Sequence, residues 1–132
     1  MSPKKINIKK INESNGSLSI FEFKDSIPFN IKRIFTVNTK INVSRGNHAH
    51  KKCHQFMVCI KGKIKLITHD GKDKNIYELV EGDDFGVHVP PTVWAEQKSI
   101  NKENILLVIA SEIYDESDYI RDFNAYLTFL NK

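Results

Sequence analysis

The stretch KGKIKLITHDG, residues 61–71, decides the fold class of this chain. Its three lysines alternate with small or apolar residues, among them Ile64 and Leu66. Side chains alternate between the two faces of a β-strand, so this period of two predicts lysines in solvent and apolar residues in a core. The stretch ends at Asp70-Gly71, a dipeptide typical of a tight turn between paired strands. It therefore predicts a β-hairpin.

Further strands are indicated on both sides of this hairpin. Short apolar segments bounded by turn residues occur at 16–23, 31–37, 54–61, 63–69, 75–80, 85–89, 92–98 and 104–112. Short strands at regular spacing are typical of an all-β sandwich or barrel.

The C-terminal segment has a different period. Apolar and aromatic residues recur there at helical spacing: Tyr119, Ile120, Phe123, Tyr126, Leu127 and Leu130. Asp115 is a suitable N-cap, and Asp118 lies in the first turn, where a negative charge is favourable. We expect one amphipathic helix packed on the sheet, with its aromatic stripe serving packing.

The length and charge of the chain limit its number of domains and its possible partners. The 132 residues predict a single domain, 1–132. Four lysines fall in residues 1–10 without any acidic residue, whereas 16 basic and 16 acidic residues balance in the remainder. The excess charge is therefore expected on a short, solvated N-terminal arm. Because a nucleic-acid binder needs a basic face on the folded domain, nucleic acid is not an expected partner.

No segment suggests membrane insertion or export. The longest apolar runs are far shorter than the roughly 20 residues of a membrane helix, and the N-terminus lacks the apolar region of a signal peptide. We expect a cytoplasmic protein without a membrane partner.

Cys53 and Cys59 are six residues apart on one predicted strand, a spacing that disfavours a disulfide and predicts buried thiols.

The densest polar cluster is RGNHAHKKCHQ, residues 45–55. On a strand, His48 and His50 project to the same face, and two imidazoles in one cavity can transfer protons near neutral pH. The same spacing also suits a metal, with His48, His50 and His54 as nitrogen ligands. The sequence leaves these two chemistries open.

This cluster resembles the first cupin motif: Gly46, His48, His50 and His54, followed by Gly62. In cupins the position matched here by His54 is usually Glu, and a second motif supplies a further His after a Pro-x-Gly turn. The corresponding stretch, residues 89–96, contains no His. The resemblance thus implies a cupin-type β-barrel or jelly roll without a metal.

A closer resemblance covers nearly the whole chain. The chain is similar to the metal-free nucleotide-sugar 3,4-ketoisomerases, cupins that act on dTDP-4-oxo-6-deoxyglucose. The matching stretches are residues 15–18, 27–33, 45–52, 91–94, 107–111 and 114–121. The combination of RGNHAHKK with YDESDYIR is specific to this family.

The resemblance also implies the reaction, the residues that carry it out and the oligomeric state. The keto group would move from C4 to C3 through an enediol(ate), without a cofactor, toward a 3-amino-3,6-dideoxyhexose for a surface glycan. His48 is the expected base and His50 its partner. The implied homodimer exchanges N-terminal strands. The expected substrate-binding residues are Arg33, Phe35, Arg45, Asn47 and Trp94, with Arg33 and Arg45 on the pyrophosphate.

Two departures from the family concern the fine chemistry. The family usually carries a Tyr shortly after the Arg33 position, whereas this chain has Phe35 and Thr36. The residue after the Val-Trp pair is often His or Arg, and here it is Ala95.

Two alternative functions remain: a metal-dependent cupin enzyme using the three histidines, and a non-catalytic sugar-nucleotide binding domain.

Overall fold

The computed structural model describes all residues, 1–132, and contains twelve strands and one α-helix. The strands are β1 Lys4–Asn7, β2 Lys9–Glu13, β3 Gly16–Ile20, β4 Arg33–Lys40, β5 Ser44–His50, β6 Gln55–Lys61, β7 Lys63–His69, β8 Lys74–Val80, β9 Phe85–Val89, β10 Trp94–Ser99, β11 Glu103–Ala110 and β12 Tyr119–Ile120. Helix α1 spans Phe123–Leu130. The predicted all-β class with one C-terminal helix is confirmed.

The strands form two antiparallel five-stranded sheets that enclose one core. The first sheet has the order β1-β9-β6-β11-β4, and the second has the order β12-β5-β10-β7-β8. Both sheets contribute apolar side chains to a single buried cluster, for example Met57 and Val108 from the first and Leu66 and Leu79 from the second. Burial of these inner faces stabilises the sandwich.

The predicted hairpin is present and is formed by β7 and β8. Ile64 and Leu66 are buried in the core, whereas Lys63 and Lys65 lie on the partly exposed face, as the alternation predicted. The chain reverses over residues 70–73, where the Asp70 carboxylate accepts hydrogen bonds from the backbone N–H groups of Lys72 and Asp73.

The expectation of a solvated N-terminal arm is wrong for residues 4–7. Strand β1 pairs antiparallel with β9, with Lys4 opposite His88. The Nζ of Lys5 lies 4.2 Å from the centre of the Phe85 ring. An unpaired edge of β9 supplies backbone hydrogen-bonding groups that do not depend on side-chain charge, so a lysine-rich segment can still complete the sheet.

The C-terminal helix begins later than predicted. Asp115 caps a 3-10 turn, Glu116–Asp118, and Tyr119–Ile120 forms β12 against β5. Asp122 caps α1, accepting a hydrogen bond from the Ala125 backbone N–H. Pairing with β5 removes the first residues of the periodic segment from the helix. The eight-residue helix is too short to cross a membrane.

Both cysteines are free and buried, as expected for reduced thiols. They do not share a strand, however, because β6 begins at Gln55 and Cys53 lies in the turn that precedes it.

Candidate active site

A cavity of about 190 Å³ opens between the two sheets. Its apolar wall comes mainly from β4, β6 and β11, which contribute Phe35, Met57 and Val108 among others. Its polar side chains are Arg45, His48, Gln55, Gln97, Tyr119 and Arg121. An apolar pocket with a few convergent polar groups is the usual form of a small-molecule site.

The predicted histidine pair lies at this cavity. Both residues are on β5, with ring centroids 5.0 Å apart and nearly perpendicular planes. His48 lines the cavity. His50 is only 4% exposed and its Nε2 is buried without a hydrogen-bond partner. Strand alternation therefore brings the two imidazoles together, with only His48 on the cavity wall.

The hydrogen bond of His48 determines its tautomer. Its Nδ1 lies 2.9 Å from the Gly46 carbonyl oxygen. A carbonyl can only accept, so Nδ1 carries the proton and Nε2 of the neutral ring has a free lone pair. Burial, and then the neighbouring His50, lower the pKa of His48 to about 4. At neutral pH, His48 is therefore an uncharged proton acceptor.

His50 is oriented by Asp118. Its Nδ1 lies 3.0 Å from Oδ2 of Asp118, which also accepts a hydrogen bond from the Cys53 backbone N–H. The other carboxylate oxygen, Oδ1, accepts one from the Lys52 backbone N–H. Burial lowers the pKa of His50, and the bond to Asp118 acts in the opposite direction. Three donors fix the carboxylate, and the carboxylate fixes the ring.

Tyr119 brings a phenol to the histidine pair. Its ring centroid lies 4.3 Å from that of His50 and 5.0 Å from that of His48. The side chain lines the cavity, and its hydroxyl makes no hydrogen bond within the protein. The sequence predicted Tyr119 as a packing residue of a helix. Because β12 is paired with β5, it instead faces the catalytic candidates.

Two arginines border the cavity. Arg45 lies on β5, and Arg121 follows β12. The Arg121 guanidinium donates to both carboxylate oxygens of Glu116, at 2.6 and 2.9 Å, and lies 4.3 Å over the Tyr119 ring. The bond from Arg121, with a second from the Tyr114 hydroxyl, lowers the pKa of Glu116 to about 2. Arg121 is thus held in place with other N–H groups still free.

Three predicted substrate-binding residues do not line this cavity. Asn47 is exposed, with a φ of 54°, at an irregular point of the β5–β10 pairing. Trp94 is 5% exposed and packs against Tyr126, because alternation along β10 directs Ala95 inward and Trp94 outward. Arg33 lies 5.2 Å over the Phe35 ring, with its Nε buried and unpartnered. Phe35 and Arg45 do line the cavity.

His54 is separated from the other two candidate metal ligands. Its Nδ1 lies 3.0 Å from Nε2 of His88, and its ring packs near Phe29. Phe29 belongs to the second apolar cluster, not to the core between the sheets. The proposed set of three histidine ligands is therefore wrong. The side chain that reaches the cavity from the start of β6 is Gln55, the next residue along the chain.

One other group of side chains has the proximity of metal ligands. Ligand atoms of His50, Cys53 and Asp118 lie within 4.8 Å of one another. Their hydrogen bonds do not fit a metal site, because Asp118 already accepts three donors and the Cys53 thiol donates to the His54 carbonyl at 3.3 Å. This group functions as a hydrogen-bonded support for His50.

A sequence profile of the family described as "FdtA: WxcM-like, C-terminal" matches residues 1–131. The chain belongs to this WxcM-like family. It is 40% identical to a TDP-4-oxo-6-deoxy-alpha-D-glucose-3,4-oxoisomerase of Aneurinibacillus thermoaerophilus, over 100% of this chain and 95% of that protein.

Solved structures of 3,4-ketoisomerases agree with the fold along the whole chain. An enzyme from Helicobacter canadensis matches with a TM-score of 0.94 at 33% identity, covering 100% of this chain and 99% of that one. The sugar 3,4-ketoisomerase QdtA from Thermoanaerobacterium thermosaccharolyticum, solved with TDP, matches with a TM-score of 0.92 at 35% identity, covering 98% and 95%. The predicted ketoisomerase resemblance and cupin-type fold are confirmed.

Four polar residues of the cavity were missed by sequence reasoning: Gln55, Gln97, Tyr119 and Arg121. Tyr119 and Arg121 belong to the YDESDYIR stretch that indicated the WxcM-like family, which was the available signal. For Gln55, the signal was parity: on a strand it shares a face with Met57 and Cys59, two core residues.

Proposed function

We propose that this chain is an isomerase that converts dTDP-4-oxo-6-deoxyglucose to its 3-oxo isomer. The observation that supports this most directly is a neutral His48 on the wall of a sugar-sized cavity, with its Nε2 lone pair free. Membership of the WxcM-like family and the activity named for the relatives agree with that chemistry.

In this proposal His48 moves the carbon-bound proton. The 4-oxo group acidifies the C3 proton, and His48 Nε2 removes it to leave an enediolate across C3 and C4. His48 then returns a proton to C4. The proton on the C3 oxygen moves to the C4 oxygen, so the ketone is left at C3. No electrons are gained or lost overall, and imidazole acid–base catalysis is sufficient.

We assign the transfer of the oxygen-bound proton to His50 and Tyr119. His50 is covered, whereas Tyr119 contacts its ring and also reaches the cavity. We assign the Tyr119 hydroxyl as the group that exchanges a proton with the sugar oxygens, with His50 behind it. This phenol comes from β12, whereas the family's usual tyrosine would come from β4, where this chain has Phe35.

The cavity suits the sugar and not the whole nucleotide. Pockets that enclose drug-sized ligands have volumes of roughly 300–1,000 Å³, larger than the 190 Å³ here. The nucleoside diphosphate must therefore extend beyond it. We assign the pyrophosphate to Arg45 and Arg121, because both border the cavity and a planar guanidinium matches phosphate geometry.

We further propose that the enzyme is a homodimer. Strands β2 and β3 form a separate two-stranded hairpin on which Ile11 and Leu18 are 39% and 53% exposed. An isolated hairpin of this kind is marginally stable in water. Ile34 and Ile60, on the first sheet, are 60% and 47% exposed. A second copy covering these groups explains both features, and light scattering tests it as a twofold monomer mass.

The 3-oxo product is a substrate for transamination, and we propose that it leads to a 3-amino-3,6-dideoxyhexose for a surface glycan. Incubation with dTDP-4-oxo-6-deoxyglucose and a 3-aminotransferase, followed by NMR of the aminosugar, reports activity and C4 stereochemistry together. Absence of aminosugar with retained nucleotide binding supports the alternative, a non-catalytic sugar-nucleotide binding domain.

The position of hydrogen isotopes in the product tests whether the reaction passes through the enediolate. In D₂O we expect deuterium at C4, because the carbon-bound proton passes through an exchangeable imidazole. Transfer of a C3 label to C4 identifies a shielded single-base shuttle by the same residue. A product whose C4 hydrogen comes neither from solvent nor from C3 contradicts the mechanism.

A further inference from the structure

Gln55 is a polar side chain in an otherwise apolar position of the core. It is only 3% exposed, and it shares a strand face with Met57 and Cys59, which pack in the main core. Its neighbours across the sheet are Val89 and Ala110. An amide placed there is expensive to bury unless its hydrogen bonds are satisfied.

The amide has no partner within the protein. Gln55 lines the cavity and makes no side-chain hydrogen bond to any other residue, although its carboxamide offers two donors and one acceptor. The amide atoms face the open cavity and are not sealed within the core. The free hydrogen-bonding groups of Gln55 therefore point to a ligand in the cavity.

We propose that the Gln55 amide N–H donates a hydrogen bond to the C4 oxygen of the sugar and stabilises the negative charge that develops there in the enediolate. This inference rests on the proposed ketoisomerase function. His48 shares the cavity with Gln55, so base and donor reach the same substrate. A fixed donor in a water-poor site is most effective when charge appears only in the transition state.

The chemistry of an amide suits this role better than that of a charged or titrating donor. A glutamine does not ionise, so it cannot exchange protons with His48 or change that residue's pKa through its own charge. It offers its N–H groups unchanged over the whole working pH range. The residues opposite Gln55 on the neighbouring strands, Val89 and Ala110, have no polar side chain.

Two substitutions separate this role from binding and from packing. Gln55→Met keeps the size and removes every strong hydrogen-bonding group. We expect a kcat about 10²-fold lower, the usual consequence of losing one such donor, with KM changed less than about threefold and dTDP binding unchanged by calorimetry. Tm should change little, because Met keeps the side-chain volume and no hydrogen bond within the protein is lost.

Gln55→Glu gives a second readout that a packing role does not move. At neutral pH a carboxylate in place of the donor repels the enediolate, and we expect activity at least as low as that of Gln55→Met. As the pH falls, the buried carboxyl becomes protonated and its O–H can donate. The activity of Gln55→Glu relative to the unmodified enzyme should therefore rise toward acid pH, whereas that of Gln55→Met should not.

Thr68→Val is the matched control. The Thr68 hydroxyl is buried without a partner, and the residue does not line the cavity. We expect unchanged kcat and KM and an equal or higher Tm. The inference is overturned if Gln55→Met retains its kcat, if only KM rises, or if Gln55→Glu shows no relative gain in acid. Failure of the unmodified enzyme to convert the substrate instead rejects the proposed function, and the inference with it.

Discussion

The Nδ1 of His50 lies 3.0 Å from the Asp118 carboxylate, across 68 residues of sequence. The same carboxylate accepts the backbone N–H groups of Lys52 and Cys53, so it also closes the turn after β5. One aspartate therefore joins the turn that follows the histidine pair to the strand that carries Tyr119. This contact places the imidazole and phenol against each other.

Replacing Asp118 tests that support. Asp118→Asn can keep the bond from the Lys52 N–H through its amide oxygen, whereas its NH2 group cannot accept from the Cys53 N–H. It also no longer stabilises the protonated form of His50 or the tautomer with Nδ1–H. We expect a kcat lower by about 10²–10⁴, as for other carboxylate–histidine pairs, with dTDP affinity unchanged in calorimetry. A kcat within threefold of the unmodified enzyme contradicts a role for His50 in proton transfer.

The histidine pair should behave as one unit. His48→Asn should lower kcat by about 10²–10⁴, His50→Asn nearly as much, and the double variant little more than the worse single one. His54→Gln is the control, because His54 contacts His88 and Phe29 and not the cavity. If folded His54→Gln, checked by thermal melts, lost as much activity as His48→Asn, the acid–base pair would be rejected.

The phenol of Tyr119 is expected to carry the oxygen-bound proton. Tyr119→Phe preserves the ring contacts with both histidines and removes only the hydroxyl. We expect kcat to fall by about 10²-fold or more with a smaller change in KM. The control is Tyr114→Phe, whose hydroxyl bonds to Glu116 outside the cavity lining. Equal activity of Tyr119→Phe and the unmodified enzyme would show that His50 acts on the sugar oxygen directly.

Activity should not depend on a metal ion. His54, one of the three candidate histidine ligands, bonds to His88 and does not line the cavity, and Asp118 already has three hydrogen-bond partners. Dialysis against a strong chelator should leave kcat and KM unchanged, measured beside a mock-dialysed sample. Loss of activity that one divalent ion restores at stoichiometric amounts would refute this expectation.

Stability should fall in mild acid. Burial, then the neighbouring His54, then Lys4 lower the pKa of His88 to about 4, and His48 has a pKa of about 4 as well. An unfolded histidine titrates near 6.5. Between these values the unfolded chain binds more protons than the folded one, so the free energy of unfolding decreases as the pH falls.

Thermal melts between pH 7 and pH 4.5 measure this effect. We expect Tm to decrease steadily below about pH 6.5, and the decrease to be smaller in His88→Gln, which removes one of the titrating groups. Parallel Tm profiles for the two proteins would show that His88 does not contribute to acid sensitivity.

The sequence alone determined those features that depend on local pattern. Alternation predicted β7 with the correct bounds and the correct buried face, because each side chain's direction on a strand follows from its parity. The same rule placed His48 and His50 together. The family resemblance, carried by two short blocks, was sufficient for the ketoisomerase assignment.

Tertiary structure decided what depends on contacts between distant segments. Parity fixes how side chains alternate along a strand but not which face meets the cavity. Gln55 therefore lines the site and His54 does not, and Trp94 lies outside it. The helical spacing of apolar and aromatic residues predicted Tyr119 in a helix, but backbone hydrogen bonds to β5 hold it in a strand. Asp118 stands 68 residues from His50, and only the pairing of β12 with β5 brings the two together, because no local pattern records a long-range hydrogen bond.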